Sequence, residues 1–312
     1  MPAKNFKTQY CFTTLALGSQ YQELAKLLAN DIMVNCPNME LIVLTDNVEA
    51  FKDFKNVIPV LHKNRGIYHC FHDKRFAIAC ALKRNTNCIY VDADCRIICP
   101  PPITFWENLN PGIHGFWMYS MKKKLEEDIS EQSDTALISF NSAKRIRNIT
   151  NLAARQEKVS INDAMYIQEV AIIVNSNERD AYQFLRSWDR LANFFQLRGF
   201  SWGEGRAIGL AAKKANLTTY KIVDLDEWLF KDLYFESKIG NSGNPTPIEH
   251  NYYKVRQLMA KNKMSPLKRK ISLIKRLANS CYNAMLMLVN SPAMQSHRIL
   301  NQTQNHEVDN SR

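Results

Sequence analysis

Short, continuously apolar segments alternate with segments of helical periodicity over the first two thirds of the chain. The apolar segments at 10–16, 41–44 and 88–91 are rich in β-branched and aromatic residues and too short for buried helices, so they predict buried strands. Between the first two, apolar side chains recur at helical spacing from Tyr21 to Ile32. Strands that are apolar on both faces and alternate with helices predict an α/β fold with a mainly parallel sheet.

The alternation continues less regularly as far as residue 223. The segment 56–60 predicts an edge strand, because its proline cannot donate a hydrogen bond to a sheet ladder. The charged segment 122–128 predicts a loop or the start of a helix. The other predicted elements are helices at 73–83, 143–156, 179–196 and 203–215 and strands at 113–118, 170–174 and 219–223.

The chain changes character at Pro266. Basic residues alternate with apolar ones over 266–289, which predicts the kind of basic amphipathic helix that lies on anionic lipid. A helix packed on the domain by its apolar side is the alternative. We therefore predict a catalytic domain at 1–260, a basic helical tail at 261–290 and a disordered end at 291–312.

Composition and charge narrow the classes of partner. The 312 residues carry a formal net charge of +11, which suggests nucleic acid, an anionic membrane surface or a phosphorylated substrate. Nucleic acid is disfavoured, because the basic residues cluster in the tail and do not alternate with surface aromatics. No apolar stretch predicts a membrane span or a secretory signal, so we expect a cytoplasmic protein that docks on the inner membrane face.

The most specific chemical signal is a strand that runs directly into two aspartates. Asp92 and Asp94 follow the apolar run Cys88–Val91. In an α/β sheet, ligands bind beyond the carboxyl ends of the strands, and residues two apart in extended chain point the same way, about 6–7 Å apart. Two such carboxylates suit one hard divalent cation that in turn holds a diphosphate. The alternative is a pair of aspartates that cap a turn.

The order of these segments resembles the GT-A nucleotide-sugar glycosyltransferases. The features that carry the resemblance are strands ending at Thr13–Leu15 and at Thr45–Asp46, a helix opening at Lys74, and the segment Ile89–Asp94. It covers residues 8–100 well and continues more loosely to about residue 250. It implies a GT-A, Rossmann-like nucleotide-binding sheet flanked by helices, and Mn²⁺ or Mg²⁺ held against the diphosphate of a UDP- or GDP-sugar, with UDP favoured.

The resemblance also assigns roles to residues around the aspartates. Asp94 would ligate the metal directly, and Asp92 would contact the metal shell and the ribose. His250 would be a third metal ligand, although the rest of the family's C-terminal motif is absent around it. A surface histidine is the alternative for His250.

Other residues of the predicted sheet edge would bind the nucleotide and its diphosphate. Thr13, Leu15 and Asp46 are expected at the carboxyl ends of neighbouring strands and would line the nucleotide slot. Arg65 and Lys74 would neutralise the leaving diphosphate, and Lys74 matches a lysine that the resembling family often has there. Each has a purely structural alternative: strand propensity for Thr13, a helix cap for Asp46, and a solvated side chain for Arg65 or Lys74.

Acid–base chemistry requires a carboxylate on the other side of the sugar. Glu204, which follows Trp202 and opens a predicted helix, resembles the acidic position of a Trp-x-Asp-Glu segment, although Gly203 replaces the first acid. Asp163 and Glu169, which flank a predicted strand, are weaker candidates. A glutamate that complements the helix dipole is the structural alternative for Glu204.

These features predict a metal-dependent glycosyltransferase that transfers a sugar from a nucleotide diphosphate to a hydroxyl of a glycan or lipid-linked acceptor. A nucleotidyltransferase that makes a nucleotide-sugar is an alternative, disfavoured because only Gly18 follows the first strand where a glycine-rich phosphate loop would be needed. A non-enzymatic protein that binds nucleic acid or membranes through its charge is the other alternative.

Overall fold

The computed structural model describes residues 10–133, 137–222, 225–231, 257 and 266–289. Within these residues, no helix is long and apolar enough to cross a membrane. His250, the predicted domain boundary at residue 261 and the predicted disorder of 291–312 lie outside the described residues.

Eleven strands, nine α-helices and three short 3₁₀ helices (Val48–Phe51, Phe71–Asp73 and Ile161–Asp163) are described in these ranges. The strands are β1 (Tyr10–Ala16), β2 (Leu41–Thr45), β3 (Val57–Leu61), β4 (Asn87–Val91), β5 (Cys95–Ile97), β6 (Gly112–Gly115), β7 (Met118–Ser120), β8 (Met165–Ile167), β9 (Ala171–Asn175), β10 (Thr219–Lys221) and β11 (Leu229–Lys231). The helices are α1 (Ser19–Asn35), α2 (Lys74–Arg84), α3 (Ile103–Glu107), α4 (Met121–Ser133), α5 (Leu137–Glu157), α6 (Glu178–Leu197), α7 (Glu204–Lys214), α8 (Leu225–Trp228) and α9 (Pro266–Val289).

The main sheet has the strand order β10-β6-β9-β4-β1-β2-β3. Every neighbouring pair is parallel except the two that involve β9, which runs antiparallel between β4 and β6. Two antiparallel pairs, β5 with β11 and β7 with β8, lie outside this sheet. The predicted α/β class with a mainly parallel central sheet is therefore confirmed.

The strands of the sheet bury apolar side chains on both faces. In β9, Ile172 and Val174 join the apolar cluster of α2, α5, α6 and α7, while Ala171 and Ile173 join the cluster of α1, α3 and α8. This alternation follows from the two-residue period of a strand. It explains why the central strands are continuously apolar in sequence, since neither face of the sheet meets water.

Most of the predicted elements agree with the structure, and β3 is an edge strand, as its proline predicts. The predicted strand 113–118 is wrong in extent, because the chain leaves the main sheet after Gly115 and forms β7 from Met118. The short strands β5, β8 and β11 were not predicted. Each has three residues, which is too few to show a period, and each exists because it pairs with a distant strand.

The predicted C-terminal helix is present as α9, and it contacts the domain through polar side chains. The Asn283 side chain donates to the backbone carbonyls of Asn64 and Gly66, at 3.1 and 2.9 Å, and Ser280 is also buried. Apolar side chains on another face of α9 are exposed, namely Ile271, Ile274, Leu277, Tyr282, Met285 and Leu288. Among the described residues, α9 therefore contacts the domain by polar side chains and leaves an apolar face uncovered.

Two glycines allow α7 to lie directly on the backbone of β8. A Cβ at Gly209 would stand 1.6 Å from the Met165 carbonyl oxygen, and one at Gly205 would stand 2.7 Å from the carbonyl oxygen of Ile167. Real side chains do not approach this closely, so both positions require glycine. Their order along α7 and β8 shows that the N-terminus of α7 lies near the end of β8, where Glu169 follows.

We predict that Gly209→Ala destabilises the protein by about 2–3 kcal/mol or more, because the added methyl must push α7 away from β8 and this outweighs the higher helix propensity of alanine. Chemical denaturation monitored by circular dichroism measures the loss. Lys213→Ala, an exposed substitution in the same helix, is the matched control and should change stability little. Equal stability of Gly209→Ala and wild type would contradict the close contact.

Candidate active site

The antiparallel strand β9 brings two segments with acidic residues, one after β4 and one before β9, to the same edge of the sheet. Val91, the last residue of β4, is paired with Ala171, the first residue of β9. The Asp92 amide donates to the Val170 carbonyl at 2.9 Å, which continues the pairing by one step. Residues that follow β4 and residues that precede β9 therefore meet at the edge where β1 and β2 also end.

Asp92 is held by two neighbours at this edge. Its Oδ1 lies 2.9 Å from the Lys74 ammonium and accepts a hydrogen bond from the Tyr90 hydroxyl at 3.0 Å. Lys74 is the first residue of α2, and its Nζ also donates to the Glu169 carbonyl at 3.4 Å. Lys74 is almost fully buried, so it places a positive charge at the sheet edge.

Tyr90 was not singled out from the sequence, although a signal was available. Tyr90 and Asp92 are two residues apart in extended chain, so their side chains lie on the same side. Burial, reinforced by the charge of Asp92, raises the pKa of the Tyr90 hydroxyl well above its usual value. The hydroxyl therefore stays protonated and acts as a donor to Asp92.

Asp94 is buried in a turn that follows β4, so the expected extended chain through Asp92 and Asp94, with both side chains on one side, is wrong. The Cys95 amide donates to the Asp92 carbonyl at 3.0 Å, and the chain then enters β5 and leaves the main sheet. Among the described residues, no group of three His, Cys, Asp or Glu side chains is close enough to hold a metal alone. Magnesium sites commonly combine one or two carboxylates with substrate phosphate oxygens, and Asp92 and Asp94 fit that chemistry.

A second pair of acidic residues lies on the β9 side of Asp92. Glu204, the first residue of α7, is 5% exposed and is hydrogen-bonded to Glu169. Burial first, and then the negative charge of Glu169, raise the pKa of the Glu204 carboxyl to about 8, against the opposing charge of Lys74. Glu204 is therefore protonated at neutral pH. The Oε2 atom of each residue is buried and has no hydrogen-bond partner.

Packing behind Glu204 fixes its position. Arg206, two residues along α7, pairs with Asp128 of α4 and lies over the rings of Tyr166 and Phe200, at 5.5 and 5.3 Å from their centroids. These four residues were not predicted from the sequence, because their contacts join segments up to 78 residues apart. They hold the start of α7 against the segment that carries Glu169.

Three predicted nucleotide-binding residues have structural contacts. Thr13 lies in the middle of β1, not at its carboxyl end, and its buried hydroxyl donates to the carbonyls of Ile42 and Ala77. Leu15, one residue before the end of β1, is buried in the apolar cluster on the α2 side. Asp46 does follow β2 at the predicted edge.

Asp46 connects this edge to the start of α1. Its Oδ1 accepts hydrogen bonds from the Gly18 amide at 2.9 Å and the Gln22 side chain at 2.7 Å. Asp46 therefore does not cap the segment that follows it, which was the structural alternative. It binds the loop between β1 and α1 and the first turns of α1. Gly18 has φ +82°, a conformation that favours glycine.

Arg65 and Asp163 lie at the margins of this arrangement. Arg65 is exposed and lies over the Phe76 ring, and its amide donates to Asp73 at 2.7 Å, so its loop is fixed close to Lys74. Asp163 is exposed and precedes β8, whereas Glu169 follows it. Because Gly209 of α7 contacts the start of β8, Asp163 lies toward the opposite end of α7 from Glu204. The structure does not bring Asp163 to the pair.

No protein-family model matches the chain, and no curated protein sequence matches it significantly. The solved structures similar to it include the following two. The bifunctional glycosyltransferase WbbM superposes with a TM-score of 0.44 and 9% identity, over 81% of this chain and 45% of WbbM, so the chain spans less than half of that protein. An active-site mutant of LgtC superposes with a TM-score of 0.41 and 8% identity, over 83% of this chain and 98% of LgtC. Similarity at this level assigns no activity, so the function is inferred below from the residues of the candidate site.

We predict that Glu204→Gln stabilises the protein relative to wild type as pH rises. The folded state holds the Glu204 proton up to about pH 8, whereas the unfolded chain releases it near pH 4.5, so wild type loses stability between these values. Glutamine mimics the protonated carboxyl and has no such loss. The difference should be small at pH 5 and on the order of a few kcal/mol at pH 8.5.

Urea denaturation of both proteins at the two pH values measures this difference. Asp163→Asn, which changes an exposed carboxylate away from the pair, is the control and should follow wild type at both pH values. A Glu204→Gln protein whose stability relative to wild type is the same at pH 5 and 8.5 would contradict the buried, protonated carboxyl.

Proposed function

We propose that this protein is a metal-dependent glycosyltransferase that moves a sugar from a nucleotide diphosphate, preferably a UDP-sugar, to a hydroxyl of a glycan or lipid-linked acceptor. The observation that supports it best is the joint placement of Lys74, Asp92 and Asp94 with the pair Glu169 and Glu204 at one sheet edge. The first three suit a diphosphate with its cation, and the last two suit a proton transfer.

On the donor side, the chain's own groups bind and orient the diphosphate. Asp92 and Asp94 would hold Mn²⁺ or Mg²⁺, which when bound neutralises the charge that develops on the leaving diphosphate. Lys74 adds a fixed positive charge beside Asp92. Because Lys74 is buried and water is excluded, its electrostatic attraction to a bound diphosphate is stronger than it would be in solvent. The Tyr90 hydroxyl keeps the Asp92 carboxylate oriented.

On the acceptor side, the glutamate pair accepts the proton that the acceptor hydroxyl loses. The acceptor oxygen forms a bond to the anomeric carbon while the bond from that carbon to the diphosphate oxygen breaks, and the nucleoside diphosphate leaves with the electron pair. The proton of the acceptor hydroxyl passes to the carboxylate of the Glu169–Glu204 pair. Glu169 is only partly buried, so its carboxylate is the one that an acceptor hydroxyl would reach, while Glu204 is buried behind it.

The nucleotidyltransferase alternative has less support. Gly18 is the only glycine of the loop between β1 and α1, and Asp46 already accepts its amide, so this loop does not offer a cradle of free amides to phosphates. The products separate the two activities. A glycosyltransferase releases a nucleoside diphosphate, whereas synthesis of a nucleotide-sugar releases pyrophosphate.

We further propose that α9 docks the protein on an anionic membrane surface, with the site on the cytoplasmic side. Its sequence has five basic residues and no acidic residue, and its exposed face is apolar. A helix that contacts its own domain through asparagine and serine presents its apolar side outward, which suits the boundary between lipid headgroups and acyl chains. Such docking would favour an acceptor that is itself carried by a lipid.

We expect UDP to bind more tightly than GDP, to require Mn²⁺ or Mg²⁺, and to lose at least about tenfold in affinity with Asp94→Ala, a loss equivalent to about 1.4 kcal/mol. Titration calorimetry of both nucleotides, with and without metal, measures this. Asp53→Ala, which removes an exposed aspartate before β3 at the opposite edge of the sheet, is the control. Metal-independent binding, or no binding of either nucleotide by wild type, would refute the donor site.

We expect the protein to sediment with vesicles of phosphatidylcholine and phosphatidylglycerol, and not with phosphatidylcholine alone. Raising the salt concentration should weaken binding, because each basic residue near the surface contributes about 1 kcal/mol of screened attraction. Leu277→Glu with Met285→Glu should reduce binding at least about tenfold, since both side chains are on the exposed apolar face. Val34→Glu, at an exposed apolar position of α1, should bind like wild type, and a Leu277/Met285 variant that also does so would refute the role of α9.

A further inference from the structure

Three aromatic rings, of which one is exposed and two are half-buried, form a group close in sequence to Lys74 and Glu204. Trp202 is 66% exposed, and its ring centroid is 5.9 Å from that of His69. His69 stacks in turn on Phe71, with centroids 4.8 Å apart and ring planes 12° apart. We call these three residues the aromatic ledge.

Two chain segments bring the ledge to the mouth of the site. Phe71 lies three residues before Lys74, at the start of the turn that leads into α2, and Trp202 lies two residues before Glu204. Each side of the ledge is therefore tied by a short stretch of chain to a residue of the candidate active site. An aromatic side chain this exposed, two positions from a buried proton-carrying carboxyl, has no role in packing the core.

The backbone under the ledge is fixed by close packing. A Cβ at Gly203 would stand 2.9 Å from the Phe200 ring, so the chain between Trp202 and Glu204 lies directly against an aromatic core side chain. On the other side, the Ile67 amide donates to Gln196 of α6 at 2.8 Å, just before His69. A ledge that is ordered before binding lowers the entropy cost of stacking a ligand on it.

The position of the ledge favours an acceptor sugar over the nucleotide base. Trp202 belongs to the segment that enters α7 at Glu204, whereas Leu15 and Asp46 lie at the ends of β1 and β2, on the other side of β4 from β9. A pyranose ring has one apolar face that packs on an aromatic ring and a rim of hydroxyls that reach polar groups. The partly exposed carboxylate of Glu169 is such a group.

We propose that the aromatic ledge is the acceptor subsite, where a sugar ring of the acceptor stacks on Trp202 and directs one hydroxyl to the glutamate pair. This inference rests on the proposed glycosyltransferase function and deepens it, because it makes the acceptor a saccharide. A simple alcohol or a protein side chain would not fill the ledge.

The test compares wild type with Trp202→Ala, Trp202→Phe and Ile103→Ala. Ile103 is an exposed apolar residue of α3 and is the matched control. The full chain, with UDP and Mn²⁺ present, is first applied to an array of mono- to tetrasaccharides. Dissociation constants for the bound saccharides are then measured by saturation-transfer NMR. Nucleotide affinity and the slow hydrolysis of UDP-sugars by water, which needs no acceptor, are measured separately for each variant.

We expect Trp202→Ala to weaken saccharide binding at least about tenfold, Trp202→Phe to restore most of it because the ring face is retained, and Ile103→Ala to have no effect. Nucleotide affinity should be unchanged in all variants, and donor hydrolysis should be unchanged in Ile103→Ala. The ledge is refuted if wild type hydrolyses a UDP-sugar but binds no saccharide, if Trp202→Ala binds saccharides like wild type, or if it loses UDP affinity, which would make Trp202 a base-stacking residue.

The same measurements separate the ledge from the function on which it rests. Saccharide binding that depends on Trp202, in a protein that binds no nucleotide, would leave the ledge as a carbohydrate site and refute the proposed glycosyltransferase. Donor hydrolysis that depends on Asp94, without any effect of Trp202 on saccharides, would do the reverse.

Discussion

The candidate active site depends on the direction of a single strand. Because β9 runs antiparallel beside β4, its first residues meet the last residues of β4, and the bond from the Asp92 amide to the Val170 carbonyl fixes that meeting point. A parallel strand in the same place would bring its carboxyl end to Asp92 and would carry Glu169 to the opposite edge of the sheet. The reversed strand is what places an acidic pair beside the aspartates.

Charge at this edge is strongly unbalanced, and the structure accommodates the imbalance in two ways. Four acidic residues, Asp92, Asp94, Glu169 and Glu204, lie at this edge, and the ammonium of Lys74 contacts the Asp92 carboxylate and the Glu169 carbonyl. Because burial makes each unpaired charge costly, Glu204 keeps its proton, and the remaining carboxylates form a setting in which a divalent cation is favourable. The acidic excess therefore suits both proton transfer and metal binding.

One continuous segment, residues 64–74, connects three features that the sequence leaves unrelated. Its first residues accept the hydrogen bonds of Asn283 from α9, its middle supplies two rings of the aromatic ledge, and its last residue is Lys74. A buried ion pair between Arg75 and Asp189, at 2.9 Å, holds the end of this segment on α6. In the proposed function, the segment thereby places the membrane helix, the acceptor sugar and the donor diphosphate in a fixed order.

The sequence by itself determined the class of fold and the order of the main strands and helices, and it singled out five charged residues of the candidate site. Buried strands and amphipathic helices have periods that are local properties of the chain, and the strand before Asp92 and Asp94 is long enough to be recognised. Tyr90 could have been found by the same period. Thr13 was misplaced because the boundary of a continuously apolar strand has no local marker.

Only the tertiary structure decided which of these residues meet. The reversal of β9, the contact of Gly205 and Gly209 with β8, and the support of Glu204 by Arg206 and Asp128 all join segments that are distant in sequence. The same holds for the polarity of α9, since its composition shows an apolar and a polar side but not which side faces the domain. The physical reason is that a local pattern shows which side chains are buried. The residues against which they pack are set by long-range contacts, which a local pattern does not contain.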